Sequence, residues 1–444
     1  MRQNFNNKSR HKPGKPKAHV VRAVRDGKDY IDCDKGPAVF LSDGTKKWYR
    51  NGVPHRNDDL PAVEEGDGTK KWFREGKLHR DGAPAVERAD GYKRWCQNGQ
   101  SHREDGPAIE HPDGGKEWLL RDRYHREDGP AIDIDGYQEW RVNGKRHRLD
   151  GPAVIQTEGK HQEWYKDGKL HRDGDLPAVI QANGAQEWYK EGKRHRDGDE
   201  PAFIGADGEK HWHKDGGLHR ENGPAVEKPD GTFDWYLNNE RHRIGGPAVH
   251  RADGTEEWCI NGERHREDGP AIIVPGVEEA WFKNGKHHRE GGPAVSKADG
   301  TQEWYLDGMY HREDGPAVIN KKEKLWYLNG KRHCATGPAI EKADGTKEWY
   351  LDDKRHREDG PAIEHPDGSK EWYLNGQRHR EDGPALERPS GKNRYWIRDR
   401  ETNAEEITAI QKQRLDEQVQ AIEKNMEAGL AQSIIAMRPL RMKF

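Results

Sequence analysis

Large apolar side chains recur along this chain at an almost constant step, and polar residues fill most of what lies between them. Tryptophan stands at sixteen positions from Trp48 to Trp396, and every interval between successive ones is 22, 23 or 24 residues. A Pro-Ala pair precedes each Trp, from Pro37-Ala38 to Pro384-Ala385, and the next residue is always Val, Ile, Phe or Leu. A His follows seven residues after every Trp but the last, from His55 to His379. Self-similarity at a fixed step of this size marks a tandem array whose units bury their apolar faces on one another. The 444 residues are therefore read as about sixteen copies of one unit, in place of the two or three globular domains that length alone suggests.

One clear copy runs from Gly360 to Arg380, GPAIEHPDGSKEWYLNGQRHR. Asn375-Gly376 is the preferred pair for a two-residue type I′ hairpin turn, because both positions require positive φ. Pairing across it sets Leu374 opposite Gln377, Tyr373 opposite Arg378, Trp372 opposite His379 and Glu371 opposite Arg380. Side chains alternate with period two, so this predicts a Trp–His pair on one face and a Glu–Arg pair on the other. The same register couples Trp118 with His125 and Glu117 with Arg126. It likewise couples Trp258 with His265, Glu257 with Arg266, Trp349 with His356 and Glu348 with Arg357. Nine repeats carry an acid before the Trp, and all nine have Arg after the matching His; the repeat that loses this Arg, at Cys334, has Leu325 at the acidic place. Near the N-terminus Lys47, Lys71 and Arg94 face Arg56, Arg80 and Arg103, which predicts weaker pairing or another partner for that positive face.

The rest of the unit reads as a short strand from Pro-Ala-Val/Ile, a turn such as His365-Pro366-Asp367-Gly368, and then the Trp strand. Glu-Asp-Gly-Pro forms a second turn, where Pro fixes φ and removes a ladder donor. The fold class expected is an all-β tandem repeat: an elongated open antiparallel sheet of hairpin units followed by a C-terminal α-helix. A β-solenoid is the alternative. It would stack Arg above Arg at strand spacing, which is unfavourable without interleaved acids, so the open meander is preferred.

The period changes near the C-terminus. Ile407, Ile410, Leu415, Val419, Ile422, Met426 and Leu430 lie three to five residues apart, with Thr402 or Asn403 placed to cap the start and Pro439 beyond the end. This predicts an amphipathic helix within 401–444. Leu415, Val419, Ile422 and Met426 fit the alternating four- and three-residue spacing of a coiled-coil seam and are the candidate oligomerisation residues. The bland expectation is that the helix folds back over the sheet edge after Trp396. The organisation is thus a basic tail over 1–25, read as disordered, the array over 26–400, and the helix over 401–444.

Composition sharpens this picture. Apolar residues make up 31% and charged residues 35%, against roughly 45–50% and about 25% in ordinary globular chains. So polar a chain cannot fill several compact cores, yet 16 Trp and a net charge of −3 from 77 basic and 80 acidic residues do not suit disorder either. A thin ordered structure with a narrow apolar stripe reconciles the two. The near-neutral balance gives no global attraction to nucleic acid or acidic membranes. No apolar run approaches a membrane span and none follows Met1 as in a signal peptide, so a cytoplasmic setting is expected. The four cysteines, Cys33, Cys96, Cys259 and Cys334, are read as free thiols of a reducing compartment.

Twenty-four His raise the question of metal. Fifteen are the repeat His, one per unit, about 10 Å apart in a meander and too distant to share a zinc ion. The doublets His287-His288 and His211/His213 lack a third ligand nearby in sequence. The recurrent His-Arg-Glu-Asp resembles the kinase HRD element but stands without its glycine loop, lysine or DFG partners, and a catalytic constellation is normally unique in a chain. No metal, no cofactor and no enzymatic activity are expected.

The order of aromatic strand, Asn-Gly-type turn and basic-His segment, seen in Trp349-Tyr350-Leu351, Asn375-Gly376 and Gly330-Lys331-Arg332-His333, resembles the MORN repeat over about residues 36 to 400. Two features depart from it: Arg follows His in 14 of 15 units where MORN units usually have Gly, and a Gly-Pro-Ala element is inserted. The resemblance implies an elongated sheet that organises proteins, often with self-association, and binding of phospholipid head groups is proposed for such repeats. The expectation is therefore a non-catalytic scaffold or structural protein mediating protein–protein interaction. The alternative is a binder of anionic surfaces, phospholipid or nucleic acid, acting through the repeat Arg residues and the basic tail.

Overall fold

The computed structural model describes residues 18–20, 23–25, 28–30, 36–156 and 158–436. They form two compact units, divided in sequence between Pro229 and Asp230. Both are built from the same repeat, so one copy serves for each.

Ile363–Glu364 runs antiparallel to Lys370–Glu371, with Ile363 opposite Glu371. In the turn between them Gly368 takes a φ of 85°, and the Ser369 N–H donates to Asp367 Oδ1 at 2.8 Å. This is an Asx turn, and it explains the recurrent Asp-Gly. On its other edge Lys370–Glu371 pairs with Leu386–Glu387 of the following repeat. The same alternation runs from Ala18–Val20 to Val226–Glu227 in the first unit and from Phe233–Asp234 to Leu386–Glu387 in the second. Among the described residues no pairing joins the two ends of a unit, so each sheet is open. The all-β reading, hairpin repeats in open antiparallel sheets followed by a helix, holds.

At each Trp from Trp48 to Trp372 the chain changes partners. The Trp372 N–H donates to Ala385 O of the next repeat at 2.9 Å, while Trp372 O accepts from the His379 N–H at 3.1 Å. Beyond it, Tyr373–Leu374 pairs with Gln377–Arg378 in a separate two-stranded hairpin, in the register expected. Asn375 and Gly376 have φ of 51° and 88°, as a type I′ turn requires. Glu75 and Arg121 hold the same left-handed conformation at this place, so register, more than residue type, dictates the turn. The Trp therefore lies at a corner between a sheet of first and second strands and a row of hairpins, and the strand does not continue through it. Adjacent hairpins are tied together, as by the Gly376 N–H to Arg355 O at 2.8 Å and the Arg357 N–H to Tyr373 O at 3.2 Å.

The Ala of every Pro-Ala pair is fully buried, because its backbone bridges two repeats. Around it lie small clusters, such as Ala362, Ile363 and Tyr373, in place of one large core. The narrow apolar stripe inferred from composition takes this form.

Strands begin earlier than expected. Ala18–Val20 pairs with Val39–Leu41, and Ala23–Arg25 with Lys28–Tyr30, so residues 18–20 and 23–25 belong to the β structure. The remainder of the predicted tail, 1–17, lies outside the described residues, as does Cys33.

The helix spans Ala404–Ala436. Asn403 Oδ1 caps it by accepting the Glu406 N–H at 2.9 Å. Bonds from Arg400 and Thr402 hold the Glu406 carboxylate far down, at about 2. Ile407 is buried, and Arg414 meets Glu381 at 2.6 Å. Those two residues, one heptad apart, fix the face that docks. Leu415, Val419, Ile422 and Met426 lie about 80–140° around the helix from Arg414 and are exposed by 45–64%. The helix thus meets the array through Ile407 and Arg414, and the face with the candidate oligomerisation residues is left exposed.

Candidate interaction surface

Fourteen Arg residues follow the repeat His, and the structure gives all fourteen one role. Each guanidinium lies over the Trp of its own repeat, with Cζ 3.8 to 4.2 Å from the ring centroid. Arg357 sits 4.1 Å over Trp349, and its donors are used locally. Nε donates to Asp359 at 3.0 Å, and Nη1 to Pro361 O at 3.3 Å and Glu364 at 3.1 Å. Arg126 over Trp118, Arg266 over Trp258 and Arg380 over Trp372 repeat the arrangement through Asp128, Asp268 and Asp382. The planar guanidinium suits such a seat, where it stacks and donates at once.

The predicted pairs Glu371–Arg380, Glu348–Arg357, Glu257–Arg266 and Glu117–Arg126 do not form. The partner switch at the Trp puts the acid on the inner face, between sheet and hairpin, and the Arg on the outer one. Glu348 is met by Arg355 at 3.1 Å and Lys342 at 2.8 Å, and Glu371 by Arg378 at 3.0 Å. Glu257 is met by Arg264 at 3.5 Å, and Glu117 by Tyr124 Oη at 2.6 Å and His111 at 2.7 Å. The like charges anticipated near the N-terminus do not meet either: Lys71 pairs with Glu65 at 2.5 Å, and Arg80 with Asp59 at 2.7 Å.

The inner acids form a buried polar row absent from the sequence reading. Glu139 is 2% exposed. It is held by Arg146 at 2.6 Å, by Arg141 at 2.7 Å and by the Tyr137 hydroxyl. Burial pushes its carboxyl up, but the bonds from Tyr137, Arg146 and Arg141 outweigh this and hold it below the usual carboxylate range. Glu187, Glu348 and Glu371 are lowered by the same balance. Burial, then the bond to the acid, pushes the phenols of Tyr124 and Tyr137 up to about 12. A carboxyl depressed in the folded state contributes stability above its unfolded value and loses it as pH falls through the folded one. Thermal unfolding from pH 6 to pH 3 is therefore expected to show a fall in midpoint that is shallower in Glu139→Gln than in the parent. Parallel curves would contradict this.

The repeat His works between repeats. His125, His265, His356 and His379 each donate their N–H to the O of Trp118, Trp258, Trp349 and Trp372 at 3.0 to 3.1 Å, the pairing the register predicts. Nδ1 of His356 accepts the Asn375 N–H of the next turn at 3.1 Å, and Nδ1 of His125 accepts that of Asn143 at 3.0 Å. His213 is different. Burial first, then Arg194, lowers it to about 4. Among the described residues no group of three or more His, Cys, Asp or Glu is arranged to hold a metal ion. Cys96, Cys259 and Cys334 are free thiols.

What remains exposed at most corners is acidic, with Leu149 and Ile244 as apolar exceptions. In Glu358-Asp359 the side chains are exposed by 83% and 85%, and in Glu267-Asp268 by 83% and 86%. In six units the outward face carries such a Glu-Asp pair beside a half-buried Arg that donates to the Asp. No family model matches this chain, and no curated protein does.

Proposed function

We propose that this chain is a non-catalytic repeat scaffold that binds protein partners along its array. The observation that carries this reading is the recurrence of one corner, a Trp–Arg stack, in fourteen repeats, thirteen of which have a carboxylate within three residues after the Arg. A surface that repeats the same contacts suits a partner that adds them one repeat at a time. The resemblance to MORN repeats supports the same reading, and the free thiols Cys96 and Cys259 suit an intracellular setting. The alternative, an anionic-surface binder, drew its charge from the repeat Arg residues. Each of those Arg residues donates to a Pro carbonyl and eleven of the fourteen also meet an Asp or Glu, so such binding would rest mainly on the basic residues of positions 1–25.

Affinity capture with crosslinking from the native source tests the proposal. Crosslinks are expected along several consecutive corners, with affinity that grows as repeats are added and a modest salt dependence. Steep salt dependence together with loss of binding on deleting residues 1–25 would favour the anionic surface instead. Activity abolished by one substitution would refute a non-catalytic role.

Self-association is a second proposal, supported by the bare seam of the helix. Val419 and Met426 fall at one seam position and Leu415 and Ile422 at the other, as in a helix that pairs with its counterpart in a second copy. Sizing by light scattering is expected to show a dimer that Ile422→Asp converts to monomer. A parent that is monomeric throughout would remove this reading. Among the described residues no helix is long and apolar enough to cross a membrane.

A further inference from the structure

One repeat lacks its guanidinium. Cys334 stands where the other fourteen units carry Arg, in the segment His333-Cys334-Ala335-Thr336-Gly337-Pro338. The ring, the carbonyl and one carboxylate of the seat are present, while Thr336 stands where Asp359 accepts from the Arg357 Nε in the next repeat. Trp326 is half-buried and packs with Cys334 against Ala339 and Ile340. Pro338 supplies the carbonyl that Pro361 offers to Arg357 in the next repeat, and Glu341 the carboxylate that Glu364 offers there. Among the described residues no cation lies over Trp326, no group donates to Pro338 O and no base pairs with Glu341.

The space itself is open. At Gly360, an added Cβ would lie 2.9 Å from the Arg357 Cζ, and at Gly315, 2.9 Å from that of Arg312. At Gly337 the nearest atom to such a Cβ is Cys334 Sγ, at 3.9 Å. A thiol is shorter than a guanidinium by several atoms, so the ring face, the carbonyl and the carboxylate are left facing one volume.

We infer that this gap is a binding seat for a guanidinium, filled by an arginine side chain of a partner protein. The chemistry follows from internal examples: in fourteen units the ring face carries a flat cation that donates to the Pro carbonyl, and in five of them the same Arg also donates to the Glu at the place of Glu341. The guanidinium lays its plane on the ring while one terminal nitrogen, Nη1, donates to both oxygens, whereas an ammonium must serve ring and oxygens from a single tetrahedral nitrogen. The source of the arginine rests on the scaffold reading above, whereas the seat can be tested without any partner.

The test uses the full chain labelled with 5-fluorotryptophan, with the Trp326 fluorine signal assigned by its loss in Trp326→Phe. Ethylguanidinium is expected to move that signal saturably in the millimolar range, while the other Trp signals drift linearly. Ethylammonium should act more weakly, and Glu341→Gln should weaken ethylguanidinium several-fold. In Cys334→Arg the seat is filled from within, so the response should vanish and the urea midpoint should rise. A Trp326 signal that does not saturate, a response that survives in Cys334→Arg, or equal response to the two cations would overturn the seat. N-acetylarginine amide should bind at least as well as ethylguanidinium. Free arginine binding far more tightly than that amide would make this a small-molecule site and overturn the partner side chain.

Discussion

Trp188→Ala is expected to destabilise the first unit by about 3–5 kcal/mol, the cost of deleting a large ring from a packed site. Trp188 is buried, carries Arg196 at 4.2 Å on one face and donates its indole N–H to Asp175 O at 3.2 Å. Its removal opens a cavity at the corner and strips Arg196 of its platform. In an array stabilised by neighbour contacts, such a loss weakens the junctions on both sides. Trp326→Ala should cost clearly less, because Trp326 is half-buried and no Arg covers it. Urea unfolding followed by circular dichroism compares the two, and equal losses would show that the stack contributes little.

Glu139→Ala should cost about 3 kcal/mol, as breaking a buried charge pair leaves its partners uncompensated. Arg141 and Arg146 both lie within 2.7 Å of this carboxylate, and Arg146 keeps Tyr165 Oη at 3.0 Å as a second contact. Glu139→Gln retains the shape and an acceptor oxygen, so its loss should be smaller. Chemical denaturation at pH 7 measures both, and an Ala variant as stable as the parent would contradict a buried ionised row. Asp359→Ala should change stability by under about 1 kcal/mol, since that carboxylate is exposed and its pair with Arg357 lies at the rim.

Much of this fold could be read from spacing alone. The constant seven residues from Trp to His require a two-residue turn with a fixed register, and Asn375-Gly376 supplies the chemistry for it. The register itself was legible as far as Tyr373 opposite Arg378. The assignment failed one step further, at Glu371 and Arg380, because the ladder was assumed to continue through the Trp. Backbone pairing decides where a strand turns away, and the switch at Trp372, whose N–H goes to Ala385 and whose O goes to His379, involves a residue of the next repeat. Nothing local in the hairpin announces it.

The covariation of acid and Arg had a different origin from the one inferred. An Arg such as Arg357 covers the Trp in fourteen repeats, and an acid such as Glu348 meets a base or phenol on the inner face. One signal could have located the true partner: with period two, Glu371 and Tyr373 share a face, and Arg378 lies opposite Tyr373. The diagonal from Glu371 to Arg378 follows from the register that was already in hand. The exposed seam of the helix was legible as a pattern, but its freedom was not, since that depends on which face Ile407 and Arg414 commit to the array.

The claim at the centre of this account is that the Arg after each His belongs to the Trp and not to the acid before it. Two double-mutant cycles in the full chain test it, Trp349→Leu with Arg357→Ala and Glu348→Ala with Arg357→Ala. The structure predicts a coupling of about 0.5–1 kcal/mol for the Trp349–Arg357 pair, and additivity within about 0.5 kcal/mol for Glu348–Arg357. Coupling between Glu348 and Arg357, with Trp349 and Arg357 additive, would contradict it.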